Sequence, residues 1–329
     1  MKIGVIFTGG TIGSRKGEGG IAPSEAAPRH LLSAYAARTG DAYQFPTAEP
    51  YTILSENLTW AHIGVLEHCV REKAAEWDGI IITHGTDTLQ YTGTALGYIL
   101  GLSSKPVVLV SANYPLWDER SNGLDNFCAA VSFLRTVQGA TGVFTAYRNR
   151  GEDTRIHRSV RLLAHHTLDD VIYSLDDAGT VATVAPDGTV TLNKSYTEQP
   201  DGQPPLSGEN LSATEGRILP LVAYPGMRYP ALDGVAAVLL ETYHSGTVAT
   251  ASTALRIFAK KAKEQGVPIF LAGVPAGGTP YASGSLYGEL QLMTAPPISP
   301  IAAYLKLCLA FADGRDPVLT LKLPLGGDM

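Results

Sequence analysis

The chain has 329 residues, of which 45% are hydrophobic and 17% charged, a composition typical of a folded globular protein. This length suffices for one large α/β domain or two ordinary domains, each with its own core. The net charge of −6 argues against sequence-independent DNA binding, which needs a concentrated basic face, so we expect no nucleic-acid partner.

The apolar segments do not fit a membrane protein. None reaches the roughly 18 residues that a transmembrane helix needs, so we expect no membrane partner. The N-terminus passes from Met1 directly into a strand pattern and two glycines, without the apolar region and cleavage site of a signal peptide. We therefore predict a cytoplasmic protein. Cys69, Cys128 and Cys308 are scattered, which favours neither a disulfide framework nor a cysteine zinc site.

Short apolar, β-branched runs alternate with helical patterns in the first half of the chain. The predicted strands are Ile3–Phe7, Gly79–Thr83, 106–110 and 142–147, and the predicted helices are 59–77, 87–102 and 121–137. This alternation predicts an α/β fold with a doubly wound, flavodoxin-like parallel sheet.

The composition changes in the middle of the chain. Residues 193–215 are rich in Pro, Gly, Ser and Asn, which is typical of a linker, and strand–helix alternation then resumes. We therefore predict two domains. The larger is an N-terminal catalytic α/β domain at 1–192, and the smaller is a Rossmann-like C-terminal α/β domain at 216–329.

Binding sites in open α/β sheets form beyond the carboxyl ends of the strands. The first predicted strand ends in TGGTIG, residues 8–13. Its glycines have neither dinucleotide-binding nor P-loop spacing, so a phosphate site is weakly supported. Two interpretations remain, a polar turn in which a threonine caps a helix and a loop that presents the Thr8 or Thr11 hydroxyl for chemistry.

The second predicted strand ends in HGTDT, residues 84–88. Asp87 beside Thr86 could orient a hydroxyl or take part in a proton relay. The alternative is structural, because either residue could cap the helix that follows. His84 receives no role.

Taken together, the motifs resemble the L-asparaginase family, the threonine-dependent bacterial amidohydrolase type. The motifs that carry the likeness are TGGTI, HGTDT, LSENL (54–58), and Pro115 followed by RSNGLDN (120–126). The likeness keeps a consistent order from Lys2 to about Thr154 and continues more loosely beyond it.

The resemblance implies a role for each matching residue. Thr11 would be the nucleophile that attacks the carbon of a side-chain amide. Thr86 and Asp87 would belong to a Thr–Asp–Lys relay. Ser55 would contact the substrate's α-carboxylate, and Glu56, with Asp87, its α-ammonium group. The remaining contacts, from Gly10 beside the nucleophile and from the backbone of Ala112 to the amide, would complete the substrate site.

Three positions depart from the family pattern. Ile21 stands where the family usually has a tyrosine that helps to activate the nucleophile. Arg155 stands where the relay lysine is expected, and an arginine keeps its charge but cannot act as a base. Thr247 stands where many relatives have an asparagine facing the site. Three C-terminal tyrosines are candidates for the missing proton relay: Tyr243, Tyr281 and Tyr287.

The leading hypothesis is a cytoplasmic amidohydrolase that converts L-asparagine to L-aspartate and ammonia, without a cofactor or a metal. One alternative is a related amidase for a modified or peptide-linked amide. Another is the ammonia-producing subunit of a tRNA-dependent amidotransferase, which ranks lower because such subunits carry an extra N-terminal domain. A catalytically idle amino-acid binder is a third. The resemblance also implies a homo-oligomer, a dimer or a tetramer.

Overall fold

The computed structural model describes residues 1–17, 19–102, 105–165, 168–176, 179–194, 196, 205–277 and 281–329. They form two compact units. The first comprises Met1–Leu206 and Leu325–Gly327, and the second comprises Ser207–Pro324 and Asp328–Met329. The division falls within the predicted linker 193–215, of which residues 195 and 197–204 lie outside the described residues.

The first unit is built on an eight-stranded sheet with the order β10-β9-β8-β7-β6-β5-β1-β4. The five neighbouring strands β4, β1, β5, β6 and β7 pair in parallel. Strands β8, β9 and β10 add antiparallel pairs at the β7 edge. The strands are β1 (Ile3–Phe7), β4 (Thr47–Ala48), β5 (Gly79–Thr83), β6 (Val107–Val110), β7 (Val143–Tyr147), β8 (Thr154–Arg158), β9 (Thr180–Val184) and β10 (Val190–Leu192). A separate hairpin pairs β2 (Ser14–Gly17) with β3 (Gly20–Pro23).

Helices cover both faces of this sheet, so its central strands are apolar on both sides. The helices are α1 (Ala27–Thr39), α2 (Trp60–Ala74), α3 (Leu89–Leu100) and α4 (Gly123–Thr136). Alternate residues of β5 enter different cores. Ile81 packs with Phe127 of α4, whereas Ile80 packs with Leu96 of α3. The predicted doubly wound parallel sheet is confirmed, and the three antiparallel edge strands extend it.

The second unit has a four-stranded parallel sheet with the order β11-β12-β13-β14. Its elements are β11 (Ile218–Val222), β12 (Ala237–Glu241), β13 (Ile269–Ala272), β14 (Leu292–Thr294), α5 (Thr253–Glu264), α6 (Pro300–Ala312) and α7 (Pro317–Lys322). Lys306 of α6 is fully buried and forms an ion pair with Asp328 at 2.6 Å. Its ammonium group also donates to the backbone oxygen atoms of Leu321 and Leu323 at the end of α7. This charge is therefore held by several partners inside the core.

The described residues contain neither a candidate membrane span nor a candidate metal-binding cluster. Within those ranges, no helix combines the length and the apolar character needed to cross a bilayer. No group of three or more His, Cys, Asp or Glu side chains in the same part of the chain could hold a metal ion.

Candidate active site

Two glycines shape the loop that follows β1. Gly9 and Gly10 have φ values of 97° and 72°, a region that favours glycine. The amide of Gly10 donates to the carbonyl oxygen of Ile53 at 3.0 Å. Thr8 is buried, and its hydroxyl donates to the carbonyl oxygen of Thr83 at 2.6 Å, so it holds β1 against β5. Thr11, which begins a short 3-10 turn, is the threonine of this loop that remains partly exposed.

The loops after β1 and β5 meet through glycine backbones. A β-carbon built on Gly10 would lie 2.2 Å from the backbone nitrogen of Gly85. A β-carbon on Gly85 would lie 2.3 Å from the Ser55 hydroxyl oxygen. Gly85 was not among the predicted site residues, although it stands inside the HGTDT motif. Thr11 follows Gly10 and Thr86 follows Gly85, so each threonine is adjacent in sequence to one of the two backbones in contact.

Ser55 connects a third segment to the site. Its hydroxyl donates to Oδ2 of Asp87 at 3.0 Å, and its backbone oxygen accepts from the Thr88 hydroxyl at 3.0 Å. Thr88, not Asp87, is the residue that precedes α3, so the capping role considered for Asp87 is wrong. Its carboxylate binds Ser55 instead. The sequence analysis gave Thr88 no role, although it is the last residue of the HGTDT motif.

The remaining predicted substrate contacts lie in neighbouring loops. Glu56 is exposed in the 3-10 turn Ser55–Asn57. Ala112 is buried beyond the end of β6. A β-carbon built on Gly123 would lie 2.9 Å from the β-carbon of Ala112 and 3.4 Å from the Ile12 side chain. Ala112 therefore packs beside the turn that carries Thr11.

Thr11 and Thr86 are both partly exposed, and the hydroxyl of neither makes a hydrogen bond to the residues that the structure describes. Both hydroxyls are thus available to a substrate. His84 is different because it is buried, with Nε2 2.9 Å from the Thr92 hydroxyl and Nδ1 2.8 Å from the Gly85 oxygen. Burial lowers its pKa to about 4, so it is a neutral core residue near neutral pH.

Arg155 and Ile21 occupy the two positions that depart from the family pattern. Arg155 lies on β8, and its Nε is 3.1 Å from Oε2 of Glu152. Glu152 is thus the acidic partner of Arg155 in this structure, and Asp87 is engaged by Ser55. Ile21 lies on β3 of the hairpin, opposite Lys16, and is 48% exposed. An exposed isoleucine offers no proton at that position.

The other predicted residues belong to the second unit. The Thr247 hydroxyl lies 3.2 Å from that of Ser245. Tyr287 is buried and donates to the carbonyl oxygen of Gly246 at 2.9 Å, so its hydroxyl is already engaged. Tyr281 is 63% exposed, and Tyr243 is partly exposed.

A cleft of about 1320 Å³ opens beside Thr86 and Asp87. Its other walls come from the loops after β6 and β7 and from a later segment. These walls include Tyr114, Arg120, Tyr147, Arg150, Asp169 and Asp170.

Charge and aromatic rings shape these walls. The Arg120 guanidinium lies 4.1 Å above the Tyr114 ring and bonds both oxygens of Asp118. Burial raises the pKa of Tyr147 to about 12, so its phenol stays protonated near neutral pH. The sequence analysis did not find this cleft.

The fold and these side chains together define a class of protein. Two threonine hydroxyls and a carboxylate stand at the carboxyl ends of parallel strands in a doubly wound α/β unit, an arrangement suited to a hydrolase that uses a hydroxyl nucleophile. The family model described as "Asparaginase, N-terminal" matches residues 2–197. The chain belongs to the asparaginase family and is an amidohydrolase.

Individual relatives agree with this assignment. The L-asparaginase of Thermococcus kodakarensis is 27% identical over 326 residues, which cover 96% of this chain and 94% of that protein. A glutamyl-tRNA(Gln) amidotransferase subunit of Thermoplasma acidophilum is 32% identical over 172 residues, 50% of this chain and 40% of that protein. The solved structure of the thermostable T. kodakarensis L-asparaginase superimposes with a TM-score of 0.81 at 25% identity and covers 100% of this chain and 99% of that one.

Proposed function

We propose that the protein hydrolyses the side-chain amide of L-asparagine to L-aspartate and ammonia, with Thr11 as the nucleophile. The observation that carries the proposal is the contact between Gly10 and Gly85, the residues that directly precede Thr11 and Thr86. Asp87 and Ser55 adjoin the same point. The similarity to T. kodakarensis L-asparaginase along nearly the whole chain supports the choice of substrate.

The reaction follows from these positions. The Thr11 oxygen attacks the amide carbon, the carbon–nitrogen bond breaks, and the nitrogen leaves with a proton as ammonia. Water then hydrolyses the resulting ester, which releases aspartate and restores the Thr11 hydroxyl. Backbone N–H groups and Thr86 would stabilise the oxyanion, and such donors commonly contribute about 3–4 kcal/mol each. The chemistry needs neither a cofactor nor a metal.

Substrate binding uses the hydroxyl and carboxylates beside the reacting centre. Ser55 would donate to the α-carboxylate, and Asp87 with Glu56 would accept from the α-ammonium group. Gly10 and the backbone of Ala112 would border the amide. Arg155 would supply a fixed positive charge to the relay, because an arginine does not lose its proton in a protein. We also propose that the protein forms a homo-oligomer in which Thr247 contacts the substrate. The cytoplasmic location remains a prediction from the sequence.

The test is ammonia release from asparagine by wild type, Thr11→Ala and the matched control Thr136→Ala. Thr136 is exposed at the end of α4 and takes no part in the site. We expect Thr11→Ala to lose roughly six orders of magnitude in kcat, as removal of a hydroxyl nucleophile does elsewhere, and Thr136→Ala to match wild type. Equal activity of wild type and Thr11→Ala would remove Thr11 from this role.

A second candidate function is supply of ammonia within a tRNA-dependent amidotransferase. The similarity to the T. acidophilum amidotransferase protein supports it, although the chain spans only 40% of that protein. Copurification with tRNA or a partner protein, together with a preference for glutamine, would favour this function. Aspartate binding by calorimetry without turnover of either amide would instead favour an idle amino-acid binder.

A further inference from the structure

Ser14 is bonded to both peptide groups that flank the proposed nucleophile. It is fully buried, and its hydroxyl donates to the carbonyl oxygen of Gly10 at 2.7 Å. Its backbone N–H donates to the carbonyl oxygen of Thr11. Thr11 lies between the peptide group that it shares with Gly10 and the one that it shares with Ile12. One residue therefore holds the carbonyl group on each side of Thr11.

The glycines before Thr11 make such a restraint necessary. Gly9 and Gly10 both have positive φ, and glycine has the widest conformational freedom of all residues. A peptide group next to a glycine therefore turns at little steric cost. The Ser14 hydroxyl opposes such a turn, because its bond is lost when the Gly10 carbonyl changes direction. The same oxygen also accepts, at 3.0 Å, from the amide that closes the turn.

The direction of the Gly10 carbonyl also sets the direction of the Thr11 N–H. In a trans peptide group the C=O and N–H bonds point in opposite directions. The Gly10 carbonyl points toward Ser14, so the Thr11 N–H points away from it. Under the proposed function, Thr11 attacks the amide carbon while backbone N–H groups stabilise the oxyanion. Both tasks need Thr11 in a fixed place, since a misplacement of about 1 Å can cost roughly 100-fold in rate.

Ser14 is itself anchored by the chain that follows it. It begins β2, and the guanidinium of the next residue, Arg15, lies 5.3 Å from the centre of the Trp117 ring. His30 of α1 stacks on the same ring, with the two ring centres 4.5 Å apart and an angle of 11° between their planes. Because Ser14 is fully buried, neither solvent nor a second copy of the chain can take over its bonds.

We propose that Ser14 is a positioning residue for Thr11, which fixes both peptide groups of the nucleophile and takes no part in binding the substrate. The inference rests on the proposed function and deepens it. Loss of the hydroxyl lowers the rate of the reaction and leaves the affinity for the substrate nearly unchanged. The effect is partial, because the bond from the Ser14 backbone N–H to Thr11 remains in an alanine variant.

The experiment measures ammonia release from asparagine by wild type, Ser14→Ala and Ser14→Thr, and aspartate binding by calorimetry. We expect Ser14→Ala to lower kcat at least about tenfold, with KM and the Kd for aspartate changed by less than about threefold. Ser14→Thr keeps the hydroxyl, and the extended backbone at this position suits threonine, so this variant should recover most of the lost kcat. Equal losses in both variants would overturn the role of the hydroxyl.

Thr214→Val is the matched control for the loss of a buried hydroxyl. Thr214 is buried in the second unit, and its hydroxyl also donates to a backbone oxygen, that of Leu211, at 2.7 Å. We expect both Ser14→Ala and Thr214→Val to lower Tm, but only Ser14→Ala to lower kcat. An equal fall of kcat in the two variants, or wild-type kcat in Ser14→Ala, would overturn the inference alone. No ammonia from wild type would overturn the proposed function as well.

Discussion

The Ser55 hydroxyl donates a hydrogen bond to Asp87 at 3.0 Å, which joins two residues that are far apart in the sequence. A bound amino acid offers each of them a better partner. Its α-carboxylate can accept from Ser55, and its α-ammonium group can donate to Asp87. Binding would therefore replace one hydrogen bond to a carboxylate by two, one of which also joins opposite charges.

The Ser55→Ala variant measures this exchange. We expect KM for asparagine to rise about tenfold or more, since a hydrogen bond to a charged group contributes roughly 1.5–3 kcal/mol, and kcat to change less. Steady-state kinetics check both constants, with the exposed Ser33→Ala as the matched control. A loss confined to kcat would show that Ser55 acts in the reaction and not in binding.

The glycine contact predicts a steric effect. In Gly85→Ala the new methyl group would lie within 2.3–2.4 Å of the Ser55 side chain, so we expect the loops to separate and kcat/KM to fall by at least about 100-fold. Gly13→Ala is the control, because a β-carbon there meets nothing within 4 Å. Kinetics and thermal unfolding of both variants decide the matter. Wild-type activity in Gly85→Ala would contradict the described contact.

Arg155→Lys tests the charge in the relay. Lysine can lose its proton near pH 10, whereas arginine cannot. We expect kcat of the variant to acquire an alkaline step that wild type lacks, measured from about pH 7 to 10.5. Arg29→Lys, an exposed change on α1, controls for general effects. Superimposable profiles for wild type and Arg155→Lys would exclude Arg155 from the reaction.

Buried histidines predict how stability depends on pH. Burial lowers the pKa of His84 to about 4 and, with the nearby Arg155 charge as a lesser cause, that of His157 to about 3. Both values lie below those of the unfolded chain, so the unfolded state binds more protons in this range. The contribution of these two histidines to the free energy of unfolding is therefore fully present above about pH 6.5. It falls as the pH drops toward the folded-state pKa values of about 4 for His84 and about 3 for His157. Urea unfolding should show this slope, and His84→Gln should flatten its upper part.

The buried ion pair of the second unit predicts a large loss of stability. Asp328→Asn leaves the Lys306 ammonium buried without its charged partner, which commonly costs about 3–5 kcal/mol. The double variant with Lys306→Met should recover much of this loss. Glu264→Gln, which breaks the exposed pair with Lys260, should change the free energy of unfolding by less than about 1 kcal/mol. Equal losses in the free energy of unfolding for Asp328→Asn and Glu264→Gln would contradict the stabilising role of the buried pair.

The sequence predicted the elements that follow a simple pattern. β1 and β5 have the predicted bounds because each is a buried, β-branched run with polar or glycine neighbours. α1 was missed because only Ala27, Leu31 and Tyr35 are buried on it, which leaves little apolar periodicity. β8 was missed because polar residues such as His157 are buried within it.

For the candidate site, the sequence predicts which loops contribute residues, but not the contacts between them. The motifs identify Thr11, Thr86 and Asp87 by residue type. The approach of Gly10 to Gly85 occurs through main-chain atoms, which leave little trace in a residue pattern. The large cleft depends on Tyr147 and Asp170, which only the folded chain brings together.

The meeting of Gly10 and Gly85 also limits how this protein can evolve. No side chain exists there to be exchanged for a slightly different one, and any addition collides with main chain or with Ser55. Arg150 and Asp170 are exposed on the walls of the cleft and can be replaced in small steps. Adaptation to new substrates is therefore free to proceed along the cleft while the reacting centre stays fixed.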